Sequence, residues 1–294
     1  MTAPPDLYAL IIRLTAARDG RLRATQGHLA HAAFLDMLRQ VDAPLAERLH
    51  GGGGRKPFTV SALEGFGRGR DGRLTIAAGG DGWLRLTLLD PRLFATFIRF
   101  FLEGNGRARL RLEGIEFQIG EILSTPGSHP LAGYATLADL RACWDATALT
   151  AAHRVIALDF RSPTAFSLRG GPGVGRRMHV LPDPPLVFGE LAGYWDGLTG
   201  DDTQAAVRDF AARDVVVSRY QLATHMGDYG GGRLQVGFAG HVTFEVLDPA
   251  RPDLTRHLNR LADLAFFTGL GSKTTMGMGQ VRRIGREGWG GDEV

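Results

Sequence analysis

Cysteine is almost absent from this chain of 294 residues, with Cys143 the single example. One thiol can form neither an intrachain disulfide nor a cysteine-cluster metal site, and a cytoplasmic location is the simple expectation. Lysine is nearly as scarce. Of the 34 basic residues only Lys56 and Lys273 are lysines, the rest arginines. A compact ammonium and a forked guanidinium do different work, and both lysines fall in the stretches singled out below. No apolar run approaches the ~18 residues of a membrane span. The opening MTAPPDLYALIIRLTAARDG lacks the basic region of a signal peptide and reads as a strand, so no membrane contact is expected. His129, His153, His179, His225, His241 and His257 show no H-E-x-x-H spacing and read mostly as surface residues. Neither metal nor cofactor is expected. The net charge of +3 and pI near 9.3 are only mildly basic.

What the chain does have is glycine, concentrated in Gly269-Leu270-Gly271-Ser272-Lys273-Thr274-Thr275-Met276-Gly277-Met278-Gly279. Glycine reaches positive φ and admits close backbone approach. Successive amides in such a loop can form an anion-binding concavity, to which Lys273 adds a charge. The spacing is not that of a Walker loop. It is not a dinucleotide fingerprint either, which opens a helix and has an acid ~20 residues later. Phosphate binding and a structural glycine turn fit the bare pattern equally well, and an enzyme holding ATP or NAD on this loop is a third, weaker reading.

Periodicity divides the chain into two similar halves. Residues 7–15 read as a strand, 28–41 as a helix with Leu29, Ala33, Met37 and Leu38 at helical spacing, and 58–61 and 83–89 as strands. Residues 91–102 then read as a helix and 108–123 as a strand or hairpin. Asp42 caps a short second helix, with Pro44 in its first turn, and His50 ends it before Gly51-Gly52-Gly53-Gly54. The second half repeats the order, with strands at 155–168, 214–224, 234–246 and 280–284 and helices at 186–198 (extended by 204–212) and 253–268. The expected fold is α+β: two tandem ferredoxin-like (RRM-like) βαββαβ domains, 1–128 and 153–294, joined by a linker at 129–152. The apolar helix Leu254 to Phe267 is the candidate surface for a homodimer.

Three stretches together resemble one family. They are the N-terminal run with His31, His50 and Arg55-Lys56-Pro57-Phe58-Thr59-Val60-Ser61, the segment Gly237-Phe238-Ala239-Gly240, and the terminal GLGSKTTMGMG. The chain resembles the CRISPR-associated endoribonucleases that cut precursor CRISPR RNA within its repeats, members of the repeat-associated mysterious protein superfamily. The resemblance implies two ferredoxin-like domains and metal-independent cleavage on the 3′ side of a repeat stem. It also implies a 2′,3′-cyclic phosphate and a 5′-hydroxyl as product ends, and an RNA cleft shaped by the glycine loop. CRISPR repeat RNA is the implied partner, with a CRISPR effector complex as a further one. A non-catalytic RNA-binding subunit of such a complex is the runner-up. It would share fold and loop but need no histidine pair.

The residues can support this chemistry. Attack by a 2′-hydroxyl needs a base, an acid and positive charge at the phosphorane; histidine suits the first two roles and lysine or arginine the third. His50 closes a helix, where a cation is favoured, which suits an acid. His31 lies on the preceding helix, and Lys56 is the charge stabiliser. His28, one turn before His31, is the reserve. Some archaeal members carry a tyrosine on this helix; the position 15 residues before His50 is Leu35, so a two-histidine version is expected. RNA-binding candidates are Gly269, Gly271, Lys273, Gly277 and Gly279, together with Arg55, Arg176 and Arg177 of a flexible basic segment, and Arg219 and Arg233 beside a hairpin that carries Tyr220 and His225.

Overall fold

The computed structural model describes residues 4–103, 109–170, 175–228 and 234–285. The first half runs β1 (Leu7–Ala16), β2 (Gly20–Leu22), α1 (Gly27–Val41), α2 (Ala43–Gly51), β3 (Phe58–Val60), β4 (Leu74–Ile76), β5 (Asp81–Leu88), α3 (Pro91–Glu103), β6 (Arg109–Leu112) and β7 (Ile115–Leu123). Its main sheet has the order β3-β5-β1-β7-β6, with every pair antiparallel. Without the added hairpin strand β6, this is a ferredoxin-like sheet. The β6–β7 turn is made by Glu113 (φ 46°) and Gly114 (φ 86°), the left-handed pair that a tight hairpin requires.

A strand β8 (Gly133–Ala135) and a helix α4 (Leu137–Asp145) follow. The second half then runs β9 (Val155–Thr164), β10 (Phe166–Leu168), β11 (Arg177–His179), α5 (Pro184–Thr199), α6 (Gln204–Asp214), β12 (Val215–Asp228), β13 (Leu234–Val246), α7 (Pro252–Thr268) and β14 (Val281–Arg283). The sheet order β12-β13-β9-β14 repeats the ferredoxin-like arrangement. The fold is α+β, with two ferredoxin-like βαββαβ units.

The stretch 129–152, expected only to join the units, is built into both of them. β8 pairs with β1 from Leu7 to Ala9. Leu140 and Trp144, one helical turn apart on α4, are both buried, and the Trp144 indole donates to Asp263 Oδ2 on α7 at 2.7 Å. A tryptophan needs such a polar partner when it is buried.

Burial along β1 shows why the halves adhere. Tyr8, Leu10, Ile12 and Leu14 face α1 and α3 in one core, while Leu7, Ala9 and Ile11 join the core built around α7. A strand apolar on both faces is covered on both. Helix α7 is therefore sandwiched, with Leu254 through Thr268 almost wholly buried. It offers no exposed apolar face, so the expectation that it carries a homodimer contact is corrected.

One polar group crosses this seam. Arg85 on β5 donates from Nε to the Leu131 carbonyl (3.0 Å), from Nη1 to Gln280 Oε1 (2.8 Å) and from Nη2 to the Phe266 carbonyl (2.5 Å). Its guanidinium also sits 4.5 Å from the Phe266 ring centroid. Gln280 in turn reaches Thr59 Oγ1 at 3.3 Å. Burial pushes the Arg85 pKa down to about 9, so the cation persists at neutral pH. Replacing it leaves three buried acceptors unpaired, each worth ~1–3 kcal/mol. Arg85→Met is expected to lower the unfolding free energy by about 3 kcal/mol in urea titration; a loss under ~0.5 kcal/mol would show that the seam is held by apolar contact alone.

Candidate active site

The α1–α2 hairpin places the candidate catalytic groups. Asp42 Oδ1 accepts from the Leu45 amide at 2.9 Å, with Pro44 in the first turn, so α2 starts abruptly where α1 stops. Ala46 and Leu49 bury the inner face of α2, which leaves His50 exposed on its last turn. The chain then leaves the helix at Gly52, whose carbonyl accepts from Lys56 Nζ. His31 lies on α1, its ring 5.6 Å from Phe58 and tilted by 21°. Its Nδ1 is buried without a hydrogen-bond partner, and the ring lies against the backbone of Thr275. Burial holds the His31 pKa below the ordinary histidine value; the charges of His50 and Lys56 push the same way, and the Thr275 backbone opposes them. His31 lies within reach of the charges of His50 and Lys56, and the glycine loop approaches it through Thr275.

That loop follows α7 and wedges between the units. Its glycines take φ of 61° (Gly269), 83° (Gly271), 89° (Gly277) and 68° (Gly279), a region closed to most side chains. The amides are committed within the protein. Gly269 donates to Ala265, Leu270 to Gly279, Ser272 to Ala165, Gly277 to Val60 and Gly279 to Pro163, all backbone carbonyls; Gly271 donates to Glu190 Oε1 at 2.9 Å. The expectation that the amides at Gly269, Gly271, Gly277 and Gly279 form a phosphate nest is therefore corrected. The pattern serves tight packing, because a Cβ on Gly279 would lie 2.0 Å from the Leu270 carbonyl oxygen.

With this geometry in view, relatives can be compared. A model of the CRISPR Cas6 N-terminal domain matches residues 6–141, and one of the CRISPR-associated endoribonuclease Cas6 matches residues 158–281. The solved structure titled Cas6 (TTHB231) product complex is 30% identical, with a TM-score of 0.77 over 94% of this chain and 99% of that one. The chain belongs to the Cas6 family of CRISPR-associated endoribonucleases. Thermus thermophilus Cas6 (TTHB231) is 27% identical, with a TM-score of 0.69 over 96% of this chain and 100% of that one. A Cas6 (TTHA0078) substrate mimic complex, at 24% identity and a TM-score of 0.68 over 94% and 98% of the two chains, shares the fold. Among curated proteins no relative matches in sequence. Membership places the chain among RNA-binding nucleases of CRISPR antiviral defence. No described helix is long and apolar enough to cross a membrane.

In this Cas6 chain the remaining basic residues divide by position. Lys273, itself at φ 60°, lines a groove with Arg176, Ser167, Met178 and Val236. Arg177 is exposed on β11 and Arg219 on β12. Arg233 lies outside the described residues. A second cleft, between the units, holds Arg68, Arg161 and His225 beside Gly277. Arg55, expected to meet RNA, is engaged elsewhere: its Nη1 donates to the Gly193 carbonyl at 2.8 Å and its guanidinium lies 4.8 Å from the Tyr194 ring centroid. His257, grouped by sequence with surface histidines, is buried, with Nε2 3.0 Å from Thr203 Oγ1; burial first, then Arg260, pushes its pKa down to about 4. Among the described residues no three His, Cys, Asp or Glu side chains group as metal ligands.

Sequence reasoning missed Arg85, Glu190, Tyr194 and Thr275. Glu190 and Tyr194 do carry a signal, since two polar groups four apart on an otherwise apolar helix need partners. Gly27 is a further close approach, because a Cβ there would lie 2.0 Å from the Met276 carbonyl oxygen. Alanine favours a helix over glycine by ~1 kcal/mol, but a backbone clash costs ~1–3 kcal/mol and cannot be relieved by a rotamer change. Gly27→Ala is expected to lower stability by about 2 kcal/mol and to detach the loop, seen as faster amide exchange at Gly277; a stabilised variant would contradict the wedge.

Proposed function

We propose that this Cas6 protein cleaves precursor CRISPR RNA within its repeats, without metal, by attack of a 2′-hydroxyl on the adjacent phosphorus. His31 takes the hydroxyl proton and the new O2′–P bond forms. His50 gives a proton to the departing O5′ as that bond breaks, leaving a 2′,3′-cyclic phosphate and a 5′-hydroxyl. Lys56 stabilises the charge that builds on the phosphorane oxygens. Lys273 and Arg176 hold the phosphate backbone in the groove outside the loop.

The observation that carries this reading is the placement of His31. It sits where α1 meets the glycine loop, against Phe58 and Thr275, within reach of the charges of His50 and Lys56. A depressed pKa keeps the ring unprotonated at neutral pH, which suits a base. The RNA-binding-subunit alternative has no use for this trio, and cleavage of repeat RNA in EDTA separates the two readings.

His50→Ala is expected to slow single-turnover cleavage by ~100-fold or more while leaving RNA affinity nearly intact; equal rates for variant and wild type would remove the assignment. Lys273→Ala should weaken RNA binding and flatten its salt dependence, measured by titration at several salt concentrations; an unchanged salt slope would remove Lys273 from the RNA path. The pH dependence has a definite sign. A base whose pKa is lowered keeps its lone pair further into acid, so the acidic limb of the rate profile should fall below the ordinary histidine value of 6.5. A limb above that value would exclude His31 as the base.

A further inference from the structure

We infer that Glu190 and Tyr194 of α5 are positioning residues that hold the glycine loop and, through it, the His31 ring. The inference rests on the ribonuclease reading above for its link to catalysis. The two side chains lie one turn apart on the same face of one helix. Glu190 Oε1 accepts from the Gly271 amide at 2.9 Å. The buried Tyr194 side chain lies beside that of Thr274. Two contacts three residues apart fix both the height and the tilt of the loop segment that carries Thr275, whose backbone lies against His31.

The same helix also grips the other side of the pocket. Arg55 donates to the Gly193 carbonyl at 2.8 Å and lies over Tyr194, and the next residue is Lys56. A Cβ at Gly193 would come within 2.5 Å of Arg55 Nη2, so glycine leaves the guanidinium its place. One turn of α5 thus ties together the loop behind His31 and the chain that carries Lys56. The burial that makes this join specific also marks its members. It raises the Glu190 pKa against the pull of the Gly271 amide and Arg55, and with the nearby Glu190 carboxylate it pushes that of Tyr194 up to about 12. A carboxylate bonded to a loop amide, with a phenol packed beside it, orients a loop more sharply than apolar contact does.

The test uses the full chain with Glu190→Ala, Glu190→Gln and Tyr194→Phe. Three quantities are read: the NMR titration of the His31 ring without RNA, the single-turnover rate at saturating repeat RNA, and RNA affinity. Burial, His50 and Lys56 disfavour protonated His31, while the Thr275 backbone favours it. Loosening the loop changes both its burial and that contact, and should therefore shift the His31 titration in Glu190→Ala and Tyr194→Phe. The rate should drop ~10-fold, since displacements of about 1 Å can cost up to ~100-fold, with affinity held within ~2-fold. Glu190→Gln keeps an acceptor for Gly271 and should recover most of the rate. An unmoved His31 titration in both Glu190→Ala and Tyr194→Phe overturns the inference, whatever happens to the rate. If Glu190→Ala does not fold, Tyr194→Phe, which removes a single oxygen, decides the question. A titration that moves as stated while the wild-type chain fails to cut RNA supports the positioning role and contradicts the ribonuclease reading instead.

Discussion

The arrangement depends on a buried cation. Arg85 leaves the first sheet, crosses the seam and ends on a carbonyl in the last turn of α7 and on the first residue after the glycine loop. A guanidinium offers donors in a rigid fork, so it fixes direction as well as distance. Apolar contact between β1 and α7 supplies adhesion, which slides easily. The Arg85 bonds forbid that sliding, because an unmade buried bond to a charged group costs more than a methylene or two of misplaced packing.

A fixed seam matters because the site is divided between the units. His31, His50 and Lys56 come from the first. Thr275, which touches His31, comes from the second, held in turn by Val60 of the first through the Gly277 amide. The glycines allow this interleaving by removing every Cβ that would collide with a neighbouring backbone. The loop is thus a shaped spacer, with Lys273 lining the outer groove and Thr274 buried. That is a different use of glycine from a phosphate nest, though the sequence signature is the same.

Much of this was legible in the chain. The strand and helix order, the Asp42 cap and the helix ending at His50 followed from local chemistry, and their repetition gave the fold. The side-by-side placement of α1 and α2, which carry His31 and His50, followed from the turn at Asp42. Contacts across the seam were not legible. Arg55 looks like any exposed arginine until Gly193 and Tyr194 arrive from 138 residues away, and nothing in the 254–267 pattern says that both faces of α7 find partners. Amide commitment within the loop was hidden for the same reason, since the acceptors at Val60, Pro163, Ala165 and Glu190 are distant in sequence. Local periodicity reports what an element needs, and tertiary contact decides what supplies it.

The central claim is that RNA is cut where α1 meets the glycine loop. The most direct measurement is a crystal structure with repeat RNA carrying a 2′-deoxy residue at the scissile position, which removes the nucleophile and leaves the rest in place. The account predicts that the scissile phosphate lies between His31 and His50, with Lys56 against a non-bridging oxygen. A scissile phosphate seated on the far side of either sheet, beyond hydrogen-bond reach of both imidazoles, would contradict it.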